Sequence, residues 1–159
     1  MSSTKFPKIT LKGFKYYAGM SQETNCFVAT VCFDGVPVMT AENQGHGGST
    51  NLQLLKDQKI GDFQRHYKTL EEIHDSDKVK YPYDFEKAEE IIDNLVYREI
   101  QKKSLVAKMK KKTVFTATDA KGLFTINRPY VPGMNIKNVG VILNSLDIES
   151  AMDIYMSQG

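Results

Sequence analysis

Tryptophan is absent from the chain, and its 159 residues hold only two cysteines and five prolines. So few cysteines exclude a disulfide-stapled secreted scaffold, and so few prolines exclude a collagen-like or proline-rich chain. Apolar runs reach about five residues, against the ~18 that a bilayer span requires. The first ten residues, MSSTKFPKIT, lack the apolar stretch of a secretion signal, so the expected setting is the cytoplasm, without a membrane partner. The three histidines, His46, His66 and His74, are too scattered for a metal-ligand pattern, so no metal or cofactor is expected. Charge of one sign is also lacking: 21 Lys and Arg face 19 Asp and Glu, a net charge of +2.

What is present suits a globular protein. Apolar residues make up 41%, charged residues 25%, and eight Phe with eight Tyr supply core volume. The length fits a single domain over residues 1–159. Cys26 and Cys32 are six apart in a β-rich stretch, which separates them by roughly 20 Å along a strand. A disulfide needs Cα atoms within about 7 Å. Both are therefore expected to be buried, reduced thiols.

The small net charge hides a strong asymmetry. Residues 62–101 hold eleven acids and six bases, whereas residues 102–128 hold eight bases and one acid. Such a block bears on partners more than on fold.

Residues 8–16 alternate polar and apolar side chains, as a half-exposed strand does. Residues 25–33 are rich in β-branched and aromatic residues, Asp34-Gly35 is a hairpin turn, and 36–40 return as the partner strand. These segments predict a three-stranded antiparallel meander over 8–42, with the strand of Pro37 either at an edge or paired on its other side at that residue. Three glycines within 45–48 force a loop, and 51–56 read as a short strand. In 60–74 the spacing of Ile60, Phe63, Tyr67, Leu70 and Ile73 predicts an amphipathic helix, with His66 and His74 as exposed polar residues. Residues 78–83 read as a connection.

Residues 84–111 predict a long helix with Asp84 as N-cap, acids at its start and lysines at its end, the order that the helix dipole favours. A break near 102–104 is expected from its length. Residues 113–118 and 123–127 form a hairpin, 139–143 a buried strand, and 147–156 a closing helix. The predicted class is α+β: an antiparallel sheet, made of the N-terminal meander and the C-terminal hairpin, packed by one long and two shorter helices. Along the chain this gives an N-terminal sheet and glycine-rich loop (8–58), a helical segment (60–112), and a C-terminal hairpin, strand and helix (113–159).

Ser21-Gln22-Glu23-Thr24, followed by Phe27 and Ala29-Thr30, leads to Asp34-Gly35 and then to Asn43-Gln44-Gly45-His46-Gly47-Gly48. This pattern resembles a family of small proteins encoded by bacteriophages and prophages. Lys111-Lys112-Thr113-Val114-Phe115, a lysine-ended helix entering a strand, resembles them as well. The resemblance implies an accessory role in the host cytoplasm, such as modulation of a host component or counter-defence, and carries no catalytic residue with it.

Two constellations carry chemistry. In the loop formed by Asn43, Gly45, His46, Gly47, Gly48, Ser49 and Thr50, glycine amides and two hydroxyls could face an anionic ligand. It is neither a P-loop nor a dinucleotide fingerprint. The second is a basic patch of Lys108, Lys110, Lys111, Lys112, Lys121 and Arg128, with Phe115, Phe124 and Tyr130 nearby. The expected function is a non-enzymatic binding protein that captures a host protein or a nucleotide-containing ligand. Nucleic acid and self-association are further partner classes. The alternative is an enzyme acting on a nucleotide or other phosphorylated small molecule, with His46 as general acid/base.

Overall fold

The computed structural model describes residues 6–76 and 87–158, so the expected Asp84 cap and the connection at 78–83 lie outside the described residues. The chain divides into two compact units, one ending at Tyr97 and the other beginning at Arg98.

In the first unit four strands form an antiparallel meander in the order β1-β2-β3-β4: β1 Ile9–Tyr16, β2 Phe27–Phe33, β3 Val36–Asn43 and β4 Asn51–Leu54. Asp34 and Gly35, at φ 51° and 83°, make the β2–β3 turn, as the Asp-Gly pair predicts. Alternation along β2 and β3 buries Phe27, Val31, Met39 and Ala41. Pro37 is not on an edge strand, because β4 adds a fourth strand beyond β3. The proline is accommodated because β4 pairs only from Met39 onward, and a bulge sets Pro37 opposite Cys32. Past Leu54 a side chain replaces the ladder: the Gln58 carboxamide donates to the Val38 carbonyl at 2.7 Å and accepts from the Leu55 amide at 3.0 Å. Cys26 and Cys32 are free and buried.

Helix α1, Ile60–Ser76, follows, and α2 spans Lys87–Lys111 without the expected break. The stripe on α1 buries Leu70, but Ile60 at its start is 59% exposed. His74, expected on the surface, is instead buried, with Nε2 2.8 Å from Glu90 of α2. Pairing with a carboxylate makes an imidazole tolerable there, and this signal lies sixteen residues away in sequence. Tyr67 donates to Glu89 at 3.0 Å, and Lys87 pairs with Asp75 at 2.7 Å, so charged residues of both signs at the start of α2 clasp α1.

In the second unit the rest of α2 leads into a separate three-stranded antiparallel sheet in the order β6-β5-β7: β5 Thr113–Ala117, β6 Leu123–Ile126 and β7 Val139–Ile142. Helix α3, Ile148–Gln158, closes the unit, and Leu105, Val114, Leu143, Ala151 and Met152 form its core. The strand at 139–142, expected to be buried, is an edge strand paired on one side only, and Val141 is 39% exposed. Asp147 caps α3 through the amide and hydroxyl of Ser150, at 3.0 and 2.8 Å.

The junction between α2 and β5 rests on Asn144. Its Nδ2 donates to the Met109 and Lys112 carbonyls at 3.2 and 3.0 Å, and its Oδ1 accepts the Val114 amide at 2.7 Å. One carboxamide thus satisfies carbonyls at the helix end and the first free amide of the strand. Asn144→Ala leaves these groups unpaired and should destabilise the protein by about 2 kcal/mol. Urea unfolding followed by circular dichroism measures this, with the exposed-site change Lys137→Ala as a near-neutral control.

Arg98 bridges Glu149 and Asp153 of α3 at 2.9 and 3.1 Å. The hydrogen bond from Arg98, aided by Lys102, holds the Glu149 carboxyl below its ordinary value of 4.5. The folded state therefore favours the ionised acid. Its contribution is complete above the unfolded pKa and is lost as pH falls through the folded one. Glu149→Gln should flatten the acid limb of the stability–pH curve below about pH 4.5. The flattening should shrink in 1 M salt because the pair is exposed.

Candidate functional site

The glycine-rich segment is the loop of the β3–β4 hairpin, closing above the last ladder pair, Glu42 with Asn51. No ladder serves its backbone, and the Asn43 carboxamide takes that role. Asn43 Oδ1 accepts from the Gly45 amide at 2.8 Å and from the Thr24 hydroxyl at 2.7 Å. Asn43 Nδ2 donates to the Gly48 carbonyl at 3.0 Å. Thr24 also accepts the Gly47 amide at 3.3 Å.

A second loop docks on the first. The amides of Gln22 and Glu23 both donate to the Gly45 carbonyl, at 2.9 and 3.2 Å. Ser21 Oγ accepts the Cys26 amide at 2.8 Å and donates to the Tyr17 carbonyl at 2.9 Å. The Ser21–Thr24 stretch and the glycine loop, twenty residues apart in sequence, are thus one hydrogen-bonded body in space. The packing explains two glycines. Gly45 has φ 85° and Gly47 φ 86°. A Cβ on Gly45 would strike the Met20 carbonyl, and one on Gly47 would strike the Glu23 carboxylate.

Two amides of the expected anion cradle are used within the loop itself. The Gly45 and Gly47 amides, expected to face a ligand, are turned inward onto Asn43 and Thr24. The surroundings are acidic as well. Glu23 lies beside Gly47, and the shallow concavity of about 320 Å³ along the loop is lined by Glu42 together with Asn43, His46, Ser49 and Asn51. On the other side of Gly48 a smaller cleft of about 180 Å³ contains Asp93. The Asp93 carboxylate accepts the hydroxyl of buried Thr50, which ties the loop to α2. An anion here would meet carboxylates before amides.

His46 is exposed, with Nδ1 3.3 Å from the Gln22 carboxamide oxygen. That partner is an amide oxygen rather than a carboxylate, so it does not supply the orienting acid of a general-base pair. Among the described residues no cluster of three or more His, Cys, Asp and Glu is placed to hold a metal. Sequence reasoning missed Gln22, Glu23, Thr24 and Asp93. The Ser-x-Glu-Thr motif marked the first three, but only the fold shows what they touch.

The basic patch is partly assembled. Lys110 and Lys111 end α2, and Lys112 enters β5. Arg128 joins them, because its carbonyl accepts the Thr113 hydroxyl at 3.1 Å. Among the described residues none of these four forms an ion pair. Lys108 turns away, with its ammonium 5.4 Å from the Tyr155 ring centre and 3.5 Å from the Tyr155 hydroxyl. Lys121 sits in the β5–β6 turn, at the opposite end of the strand, about 13 Å along. The six expected residues therefore separate into a cluster of four, an aromatic-bound lysine and a remote one.

Gly45→Ala should lower stability by more than about 1 kcal/mol, because positive φ and a backbone collision act together. Gly48→Ala, with open space at its Cβ, should lie within about 0.5 kcal/mol of the parent in thermal melts. His46→Ala should leave the melt unchanged.

Compared with protein-family models, curated proteins and solved structures, the chain matches none.

Proposed function

We propose that the protein is a non-enzymatic binding protein whose working surface is the lysine-rich junction of α2 and β5, and that its partner is acidic. The observation that carries this is the cluster of Lys110, Lys111, Lys112 and Arg128 without acidic partners among the described residues. The second unit as a whole supports it, with ten Lys and Arg against five Asp and Glu from Arg98 onward. Four of its five acids are engaged elsewhere: Glu149 and Asp153 hold Arg98, Asp147 caps α3, and Asp119 accepts from Asn138 at 3.1 Å. Four uncompensated cations at a rigid helix end attract an anionic surface and speed its encounter. On the resemblance to phage and prophage proteins, the partner is a host-cell component, and its occlusion is the accessory or counter-defence effect. In this reading the glycine loop is a structural clasp rather than the binding site.

Binding of the intact protein to poly-L-glutamate, measured by titration in low salt, should be lost in the triple variant Lys110→Glu, Lys111→Glu, Lys112→Glu and retained in His46→Ala. Affinity should fall steeply as salt rises. A triple variant that binds as well as the parent would place the working surface elsewhere.

A further inference from the structure

Side-chain alternation divides the three-stranded sheet into two faces. Val114 and Leu123 point into the core formed with Leu105 and Leu143. Phe115 and Phe124, paired directly across β5 and β6, share the opposite face. Their ring centres lie 6.0 Å apart at 31°, and Phe124 is 37% exposed. Phe115 is buried at 8%, so of the pair it is Phe124 that offers its ring to solvent. β6 is an edge strand, which leaves Phe124 approachable.

Cations flank this ring along the strand. Toward one end the chain leaves β6 at Ile126 and turns, the Arg128 amide donating to the Ile126 carbonyl at 2.8 Å, and the Arg128 carbonyl accepts the Thr113 hydroxyl next to Lys111 and Lys112. At the other end are Lys121, in the turn, and Lys137, next to Asn138, whose carbonyl accepts the Thr118 amide at 2.8 Å. Positive charge at both ends of a short track with an aromatic face between them matches a single strand of nucleic acid, in which phosphates alternate with bases free to stack. A duplex hides its base faces, and an acidic peptide offers no flat ring for Phe124.

We propose that this face of the second unit binds single-stranded nucleic acid, with Phe124 stacking on a base and Lys111, Lys112 and Arg128 contacting phosphates. The proposal rests on the basic-surface reading above and names its partner class. Chain chemistry makes no base-edge contacts evident, so binding is tolerant of sequence.

The absence of tryptophan provides the probe. In Phe124→Trp the new indole is the sole tryptophan of the full-length protein, and a stacked base quenches it. The ligand is an oligothymidylate of about 12 nucleotides. Titration should quench the indole, and fluorescence anisotropy of labelled oligonucleotide should show binding weakened about tenfold by Phe124→Leu, which keeps the apolar bulk and removes the ring. A log–log salt slope near −2 is expected from three phosphate contacts, less steep by about 0.7 in Lys111→Gln. Circular dichroism confirms that each variant is folded.

Oligonucleotide binding that ignores Phe124→Leu and leaves the indole unquenched overturns the stacking proposal while sparing the basic surface. Binding of poly-L-glutamate with no binding of oligonucleotide overturns it in favour of an acidic protein partner. If neither polyanion binds, this proposal and the reading beneath it both fail.

Discussion

A hairpin loop that leaves its ladder must find partners for every backbone group it buries. Here one side chain meets that requirement at both ends of the loop. Asn43 supplies an acceptor to the Gly45 amide and a donor to the Gly48 carbonyl, and so closes the loop on itself. The Thr24 hydroxyl, bound to the same oxygen, brings in the Ser21–Thr24 segment. Remove the carboxamide and a donor, an acceptor and a docked loop lose their anchor together. Only a planar group with both functions at a short reach can occupy this position, so Asp or Leu is not a substitute. The chemistry of the loop follows from that duty, because amides pointed inward at Asn43 and Thr24 are not offered outward to a ligand.

Asn144 meets the same demand in the second unit, where a helix stops and a strand begins one residue later. Carbonyls at the end of α2 would otherwise face a buried junction. By binding two of them together with the Val114 amide, Asn144 turns the helix end into a defined corner. Lys110, Lys111 and Lys112 are carried on that corner. The precision of the basic cluster therefore derives from a neutral side chain some thirty residues later in the chain.

Local patterns in the sequence were informative where a single segment determines its own structure. The Asp34-Gly35 turn, the alternation in β2, the acid-to-base gradient of α2 and the hairpin at 113–126 all follow from nearby residues. Reading failed where a partner far along the chain decides. His74 looked solvent-exposed because Glu90 lies on another helix, and the edge or inner place of the Pro37 strand stayed open because β4 and Gln58 come after the glycine loop. The loop itself was visible as irregular. Its composition suggested free amides, and nothing in that composition marks Asn43 as the group that occupies them. The lysine run was visible too, but Lys108's turn toward Tyr155 and the remoteness of Lys121 depend on the packing of α3 and the length of β5.

The placement of charge in the second unit has an energetic logic. Like charges at three consecutive positions repel, and a neighbouring acid would relieve the repulsion. The acids of α3 instead face Arg98 and Lys102, about two to four turns back along α2. What offsets the repulsion locally is the negative end of the α2 dipole, worth about 0.3–1 kcal/mol per exposed cation. That compensation eases the repulsion without neutralising the lysines. The cluster is thus held in place by the backbone while its ammonium groups keep their attraction for an outside anion, which a set of intramolecular salt bridges would have cancelled.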